Sequence, residues 1–103
     1  MSTEDQNTRK LLTVITEAAL ENSLAHEADE LGIHGYTISN ARGKGEHGTR
    51  NAGWETSGNI RFEVICNAEF ARKIARHLQN KYCENYAMIL YLSDVEILRP
   101  EKF

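Results

Sequence analysis

Lys10 to Thr16 reads Lys-Leu-Leu-Thr-Val-Ile-Thr, a short apolar run rich in β-branched residues, and predicts a buried strand. The spacing then changes. Leu20, Leu24, Ala28 and Leu31 recur at helical intervals, with Glu21, Glu27, Asp29 and Glu30 facing out. Thr16 suits the N-cap of this helix, Glu17 its positive end, and Gly32 the C′ position that stops it. Tyr36 and Ile38 alternate with Thr37 and Ser39, so a second strand is predicted over 36–40. Apolar periodicity then disappears at Ala41 and returns at Ile60. From there Ile60, Phe62, Val64 and Cys66 form one face of a third strand, and Arg61 and Glu63 lie on the other. Asn67 can cap a second helix. Its apolar stripe is Phe70, Ala71, Ile74, Leu78 and Tyr82; its wet face is Arg72, Lys73, Arg76, Gln79 and Lys81. Glu84-Asn85 is a turn. Met88 to Leu98 reads as the last strand, with Ile89, Tyr91, Val95 and Ile97 on one side and Pro100 as its stop.

Strand, helix, strand, long loop, strand, helix, strand is the order of two βαβ units. It predicts an α+β, ferredoxin-like βαββαβ sandwich, an antiparallel sheet with both helices on one face. The uncovered face carries apolar positions from several strands, so an oligomer is expected to bury it. Residues 1–9 read as a flexible polar terminus and 10–103 as a single domain.

Composition narrows the function. With 103 residues and 41% hydrophobic positions the core is modest, which again favours association. A net charge of -3 disfavours general nucleic-acid binding. The third strand also has only one ring, Phe62, where RNA recognition needs stacking aromatics. Cys66 and Cys83 have neither metal nor redox spacing, and His26, His34, His47 and His77 form no recognised ligand set, so no metal is expected. His26 and His77 sit among charged helical neighbours and read as surface residues. No apolar run reaches the length of a membrane span, and Met1 to Lys10 has no signal-peptide pattern, so the expected compartment is the cytoplasm.

The loop over 42–58 holds five of the seven glycines, together with Arg42, Lys44 and Arg50. Glycine lets backbone N–H groups approach a ligand, and the cations favour an anion such as phosphate. Gly43-Lys44-Gly45 is not a phosphate-binding Walker loop, because no Ser or Thr and no helix follow the lysine. Nothing marks a catalytic triad, so no catalytic residues are assigned. Trp54 stands out in the polar loop, as a contact for a partner or as a ring packed against its own subunit.

At the level of ordered motifs the chain resembles the PII-like signalling proteins, in particular their bicarbonate-transporter- and carboxysome-associated branch. The motifs are residues 10–17, Gly-Tyr-Thr-Ile at 35–38, Gly-Lys-Gly at 43–45, Arg50, Ser-Gly-Asn-Ile-Arg-Phe-Glu-Val at 57–64, and Tyr-Ala-Met-Ile-Leu-Tyr at 86–91. The resemblance implies a PII-like homotrimer with adenine nucleotides (AMP, ADP, ATP or cyclic AMP) in clefts between subunits, and in some members bicarbonate. It makes the 42–58 loop a T-loop that docks on a protein target, such as a bicarbonate transporter or a carboxysome-linked protein. It implies a regulator of inorganic carbon uptake or fixation, not an enzyme.

By the same resemblance Arg50 and Lys44 contact phosphates, Thr37 the base or ribose, and Tyr86, Ala87, Met88 and Ile89 line the adenine pocket. Ser57, Gly58 and Asn59 make an anion nest for bicarbonate, and Arg42 and Trp54 belong to the partner-facing loop. Three features depart from relatives. The turn Lys81-Tyr82-Cys83-Glu84-Asn85 lacks their glycine-rich basic phosphate loop. The 42–58 loop has no tyrosine for uridylylation. No Cys-Gly extension follows Pro100, so redox control through such a hairpin is not expected. Met88 also stands where relatives favour glycine. Two other readings stay open: a small phosphate-hydrolysing enzyme on the same fold, and a nucleotide-free trimeric scaffold.

Overall fold

The structure, a computed structural model, describes residues 7–43 and 58–100. β1 (Thr8–Glu17), α1 (Glu21–Leu31), β2 (Thr37–Ala41), β3 (Asn59–Cys66), α2 (Ala68–Tyr82) and β4 (Met88–Glu96) follow one another, with a 3-10 turn at Ala18–Leu20. The sheet order is β2-β3-β1-β4, with every pair antiparallel. This is the predicted ferredoxin-like α+β sandwich.

β1 lies between two partners, which explains its apolar sequence. Leu12, Val14 and Thr16 point to the helices and are fully buried. On the helix side they meet Ile60, Phe62 and Val64 of β3, Leu24 and Ala28 of α1, and Ala71, Ile74 and Leu78 of α2. Thr13 faces the other way and is still buried, flanked in register by Glu63 and Tyr91. On that open face Ile89 and Tyr91 remain 49% and 47% exposed.

Both helix boundary signals that are purely local hold. Gly32 adopts φ 77, its N–H donates to the Asp29 carbonyl at 3.3 Å, and Ile33 N–H donates to the Ala28 carbonyl at 2.8 Å. That double bond pattern is a Schellman stop, and only glycine takes the left-handed conformation without strain. Asn67 caps α2 by accepting the Phe70 N–H at 2.8 Å.

Several expectations need correction. Thr16 is not an N-cap. β1 continues through Glu17, α1 starts after the 3-10 turn with Leu20 at its cap position, and the Thr16 hydroxyl instead donates to the Ala87 carbonyl at 2.7 Å. The two flanking ladders hold residue 16 in extended form, which outweighs its capping tendency. Glu27 does not face solvent: it is 4% exposed, because α2 covers it. His77 and Lys81, read as surface residues, turn toward it. β2 is displaced by one residue, with Tyr36 just before it and its ring 5.1 Å from that of Phe62. β4 ends at Glu96, before Pro100, because its ladder with β1 runs out at Thr8. Ile97 then buries its side chain and donates its N–H to the Asn7 carbonyl at 2.9 Å.

Candidate functional site

The candidate residues fall into two groups at opposite ends of the sheet. At one end Ala41, Asn59 and Glu17 lie in register across β2, β3 and β1, and Met88 pairs with Thr16 one row in. The chain enters this row through Gly58, whose φ of 76 requires a residue without Cβ, and whose carbonyl accepts the Ala18 N–H at 3.1 Å. Arg42 and Gly43 leave from the same end, and Arg42 is exposed. Both ends of the 42–58 loop are therefore anchored on one row. Lys44, Arg50, Trp54 and Ser57 lie outside the described residues.

Asn59 is 6% exposed, and its Oδ1 has no hydrogen-bond partner among the described residues. Turned over, the same group offers an N–H donor, so the position can serve either a donor or an anion. Beside it, both backbone groups of Ala87 are already engaged: its N–H donates to Glu17 Oε2 at 3.1 Å and its carbonyl accepts from Thr16. Met88 packs against the core, Ile89 is exposed on the open face, and Tyr86 is exposed with its ring 6.0 Å from that of Tyr82.

Thr37 belongs to the other group. It pairs with Glu63, four residues along β3 from Asn59, a separation of about 13 Å at strand rise. It lines a cleft of about 640 Å³ with His34, Tyr36, Glu63, Ile65 and Phe70. The cleft mixes aromatic and aliphatic walls with a carboxylate, a hydroxyl and an imidazole, a lining suited to a flat polar ring. Sequence reasoning had Thr37 but not its neighbours. Alternation along β3 puts Glu63 and Ile65 on one face; only the β2–β3 register, which pairs Thr37 with Glu63, brings Thr37 to that face. One subunit thus does not bring Thr37 together with Gly58, Asn59 and the 86–89 segment.

A third polar cluster lies between the helices. Glu27 Oε1 lies 2.8 Å from His77 Nε2, and Glu27 Oε2 accepts from Tyr82 Oη at 2.7 Å and Lys81 Nζ at 2.5 Å. An ionised carboxylate only accepts, so the His77 ring presents Nε2–H. Burial alone would raise the Glu27 carboxyl. The bonds from Lys81, Tyr82 and His77, and the charge of Lys81, outweigh it and hold the group at about 2 instead of 4.5. Burial, and then the bond to Glu27 and its charge, push Tyr82 up to about 12. Burial also raises the thiols of Cys66 and Cys83. Among the described residues no group of three His, Cys, Asp or Glu side chains could hold a metal ion. No helix of the described residues is long and apolar enough to cross a membrane.

Comparison with known proteins agrees with the fold. A PII-like signalling protein from Thermus thermophilus is 41% identical, with a TM-score of 0.76, over 93% of this chain and 95% of that one. CPII from Thiomonas intermedia K12, solved with ADP and bicarbonate, is 26% identical with a TM-score of 0.76, over 93% and 94% of the two chains. The same protein solved with ADP, AMP and bicarbonate matches at 25% identity and a TM-score of 0.71, over 87% and 94%. The profile of the family described as Nitrogen regulatory protein P-II matches residues 9–102, nearly the whole chain, and the chain belongs to that family.

Proposed function

We propose that this protein is a homotrimeric, cytoplasmic sensor that binds AMP or ADP, with ATP and cyclic AMP as weaker candidates, in clefts between subunits. Bicarbonate is its second ligand, and the loop over 42–58 carries the outcome to a protein that governs inorganic carbon uptake or fixation. It acts by binding and not by catalysis. The observation that carries this reading is that CPII, similar over 93% of this chain, binds ADP and bicarbonate.

The geometry supports it in two ways. Thr37 and the Gly58–Ala87 end stand about 13 Å apart in one subunit. A single nucleotide can use both when the Thr37 cleft of one subunit faces the other end of its neighbour. The open sheet face, with Ile89 and Tyr91 exposed, offers the apolar surface for such a trimer. Arg50 and Lys44 then reach the phosphates. Asn59, whose Oδ1 has no partner among the described residues, takes bicarbonate with its amide turned over to present N–H, together with the backbone amides of Ser57 and Gly58. Phosphate contacts at Arg50 and Lys44 order the loop base and select the partner, with Arg42 and Trp54 as its contact residues.

Sedimentation equilibrium tests the trimer, and calorimetry of Arg50→Ala tests the phosphate role. Loss of one charge-assisted bond of about 1.5–3 kcal/mol weakens ADP binding roughly ten- to a hundredfold. Unchanged ADP affinity in Arg50→Ala refutes that role. The nucleotide-free scaffold keeps one observation in its favour: Ala87 has already spent both backbone groups internally.

A further inference from the structure

We infer that Glu27 is a positioning residue for the ligand-side turn. From α1 it fixes the last turn of α2, and through Tyr82 it sets where residues 83–87 deliver Tyr86 and Ala87. The inference rests on the nucleotide reading above for its consequence in binding, but not for its geometry. Three side chains from the last two turns of α2 converge on one buried carboxylate: His77, Lys81 and Tyr82. Tyr82 passes the constraint onward. Its carbonyl accepts the Asn85 N–H at 3.1 Å and the Tyr86 N–H at 2.9 Å, and its ring stands against that of Tyr86. Beyond the turn, Thr16 and Glu17 hold Ala87. The turn is therefore gripped on both sides, by β1 at Ala87 and by α1 at Tyr82.

Stability alone is a poor reason for this carboxylate. Burying an ion pair is often no better than burying apolar side chains of the same volume, whereas directional bonds select one geometry. Glu27 lies on the helix layer and is shielded from solvent, as is Tyr82, so Glu27 itself does not touch the proposed ligand, while His77 and Lys81 remain part exposed. Its influence on the site runs through the turn.

The test compares Glu27→Gln, Glu27→Leu and Tyr82→Phe with the unaltered protein, at a temperature where circular dichroism shows all four folded. Two readouts are taken: amide hydrogen exchange by residue, and ADP affinity by calorimetry. The expected result is exchange at Asn85 and Tyr86 at least tenfold faster, with amides of β1 and β3 unchanged, and ADP affinity five- to tenfold weaker. Glu27→Leu restores packing without the directional bonds, so it behaves like Glu27→Gln. Tyr82→Phe shifts both readouts in the same direction. Exchange that rises uniformly, or that rises only outside 83–87, makes Glu27 merely structural and overturns the inference. Faster exchange at the turn with unchanged ADP affinity overturns the positioning role. If the unaltered protein binds no ADP, the nucleotide reading fails and the positioning role falls with it. The exchange pattern then still decides whether Glu27 grips the turn.

Discussion

Replacing Thr16 separates two accounts of how β1 meets the rest of the molecule. Thr16 is fully buried, and its hydroxyl donates to the Ala87 carbonyl at 2.7 Å. Thr16→Val keeps the branched shape and deletes the donor. An acceptor left without its partner costs about 1–3 kcal/mol. The added methyl in place of the hydroxyl returns about 0.8 kcal/mol. The net loss is on the order of 1 kcal/mol. For a domain of this size that is a fall in Tm of about 4–8 °C. Thr16→Ser keeps the bond and loses one buried methyl, again about 1 kcal/mol. Thr16→Asn is the discriminating variant. A helix N-cap accepts Asn without loss. A fully buried strand position does not, because the larger amide must be buried and paired. Thermal melts at one fixed protein concentration provide the assay, since association makes Tm depend on concentration. Thr16→Asn melting like the unaltered protein refutes the Ala87 contact and restores the capping role; Thr16→Val within a degree of it refutes both, because an N-cap too loses about 1 kcal/mol without its side-chain oxygen.

Acid gives a second test. Glu27 is held at about 2 against an ordinary 4.5, so its stabilisation is complete above about 4.5 and drains away as pH falls toward 2. The full shift corresponds to about 3 kcal/mol. Stability measured by urea between pH 6 and 3 falls more steeply for the unaltered protein than for Glu27→Gln; parallel curves contradict the assignment. Gly32→Ala costs about 1–2 kcal/mol from backbone conformation alone, since φ is 77 and no atom lies within 4 Å of the new Cβ. Gly35→Ala, equally open but without a positive φ, is the control expected to leave the urea midpoint in place. Asn67→Ala removes the cap on Phe70 N–H and lowers stability by about 1 kcal/mol, read from the same urea curves.

What was legible in the sequence was what local chemistry determines. Gly32 and Asn67 act on backbone groups within four residues, so their roles follow from position. The alternation Ile60, Phe62, Val64, Cys66 needs only the strand period, and its members are buried together. Glu27 was misread because its partners lie on another helix. A carboxylate beside an apolar stripe looks solvated until His77, Lys81 and Tyr82 are brought to it by the fold. Thr16 was misread for the same reason: its partner, Ala87, is distant in sequence. The site was legible as a set of motifs but not as a place. Thr37 and Asn59 are both on the β2–β3 hairpin, yet the register sets them four rows apart, and residues 44–57 lie outside the described structure.

Isothermal titration calorimetry of the purified protein with AMP, ADP, ATP and cyclic AMP, each with and without bicarbonate, tests the central claim most directly. The account predicts saturable ADP or AMP binding near one site per subunit, and bicarbonate that changes that affinity. No heat with any of the four nucleotides, in either buffer, contradicts it and leaves the fold serving as a scaffold.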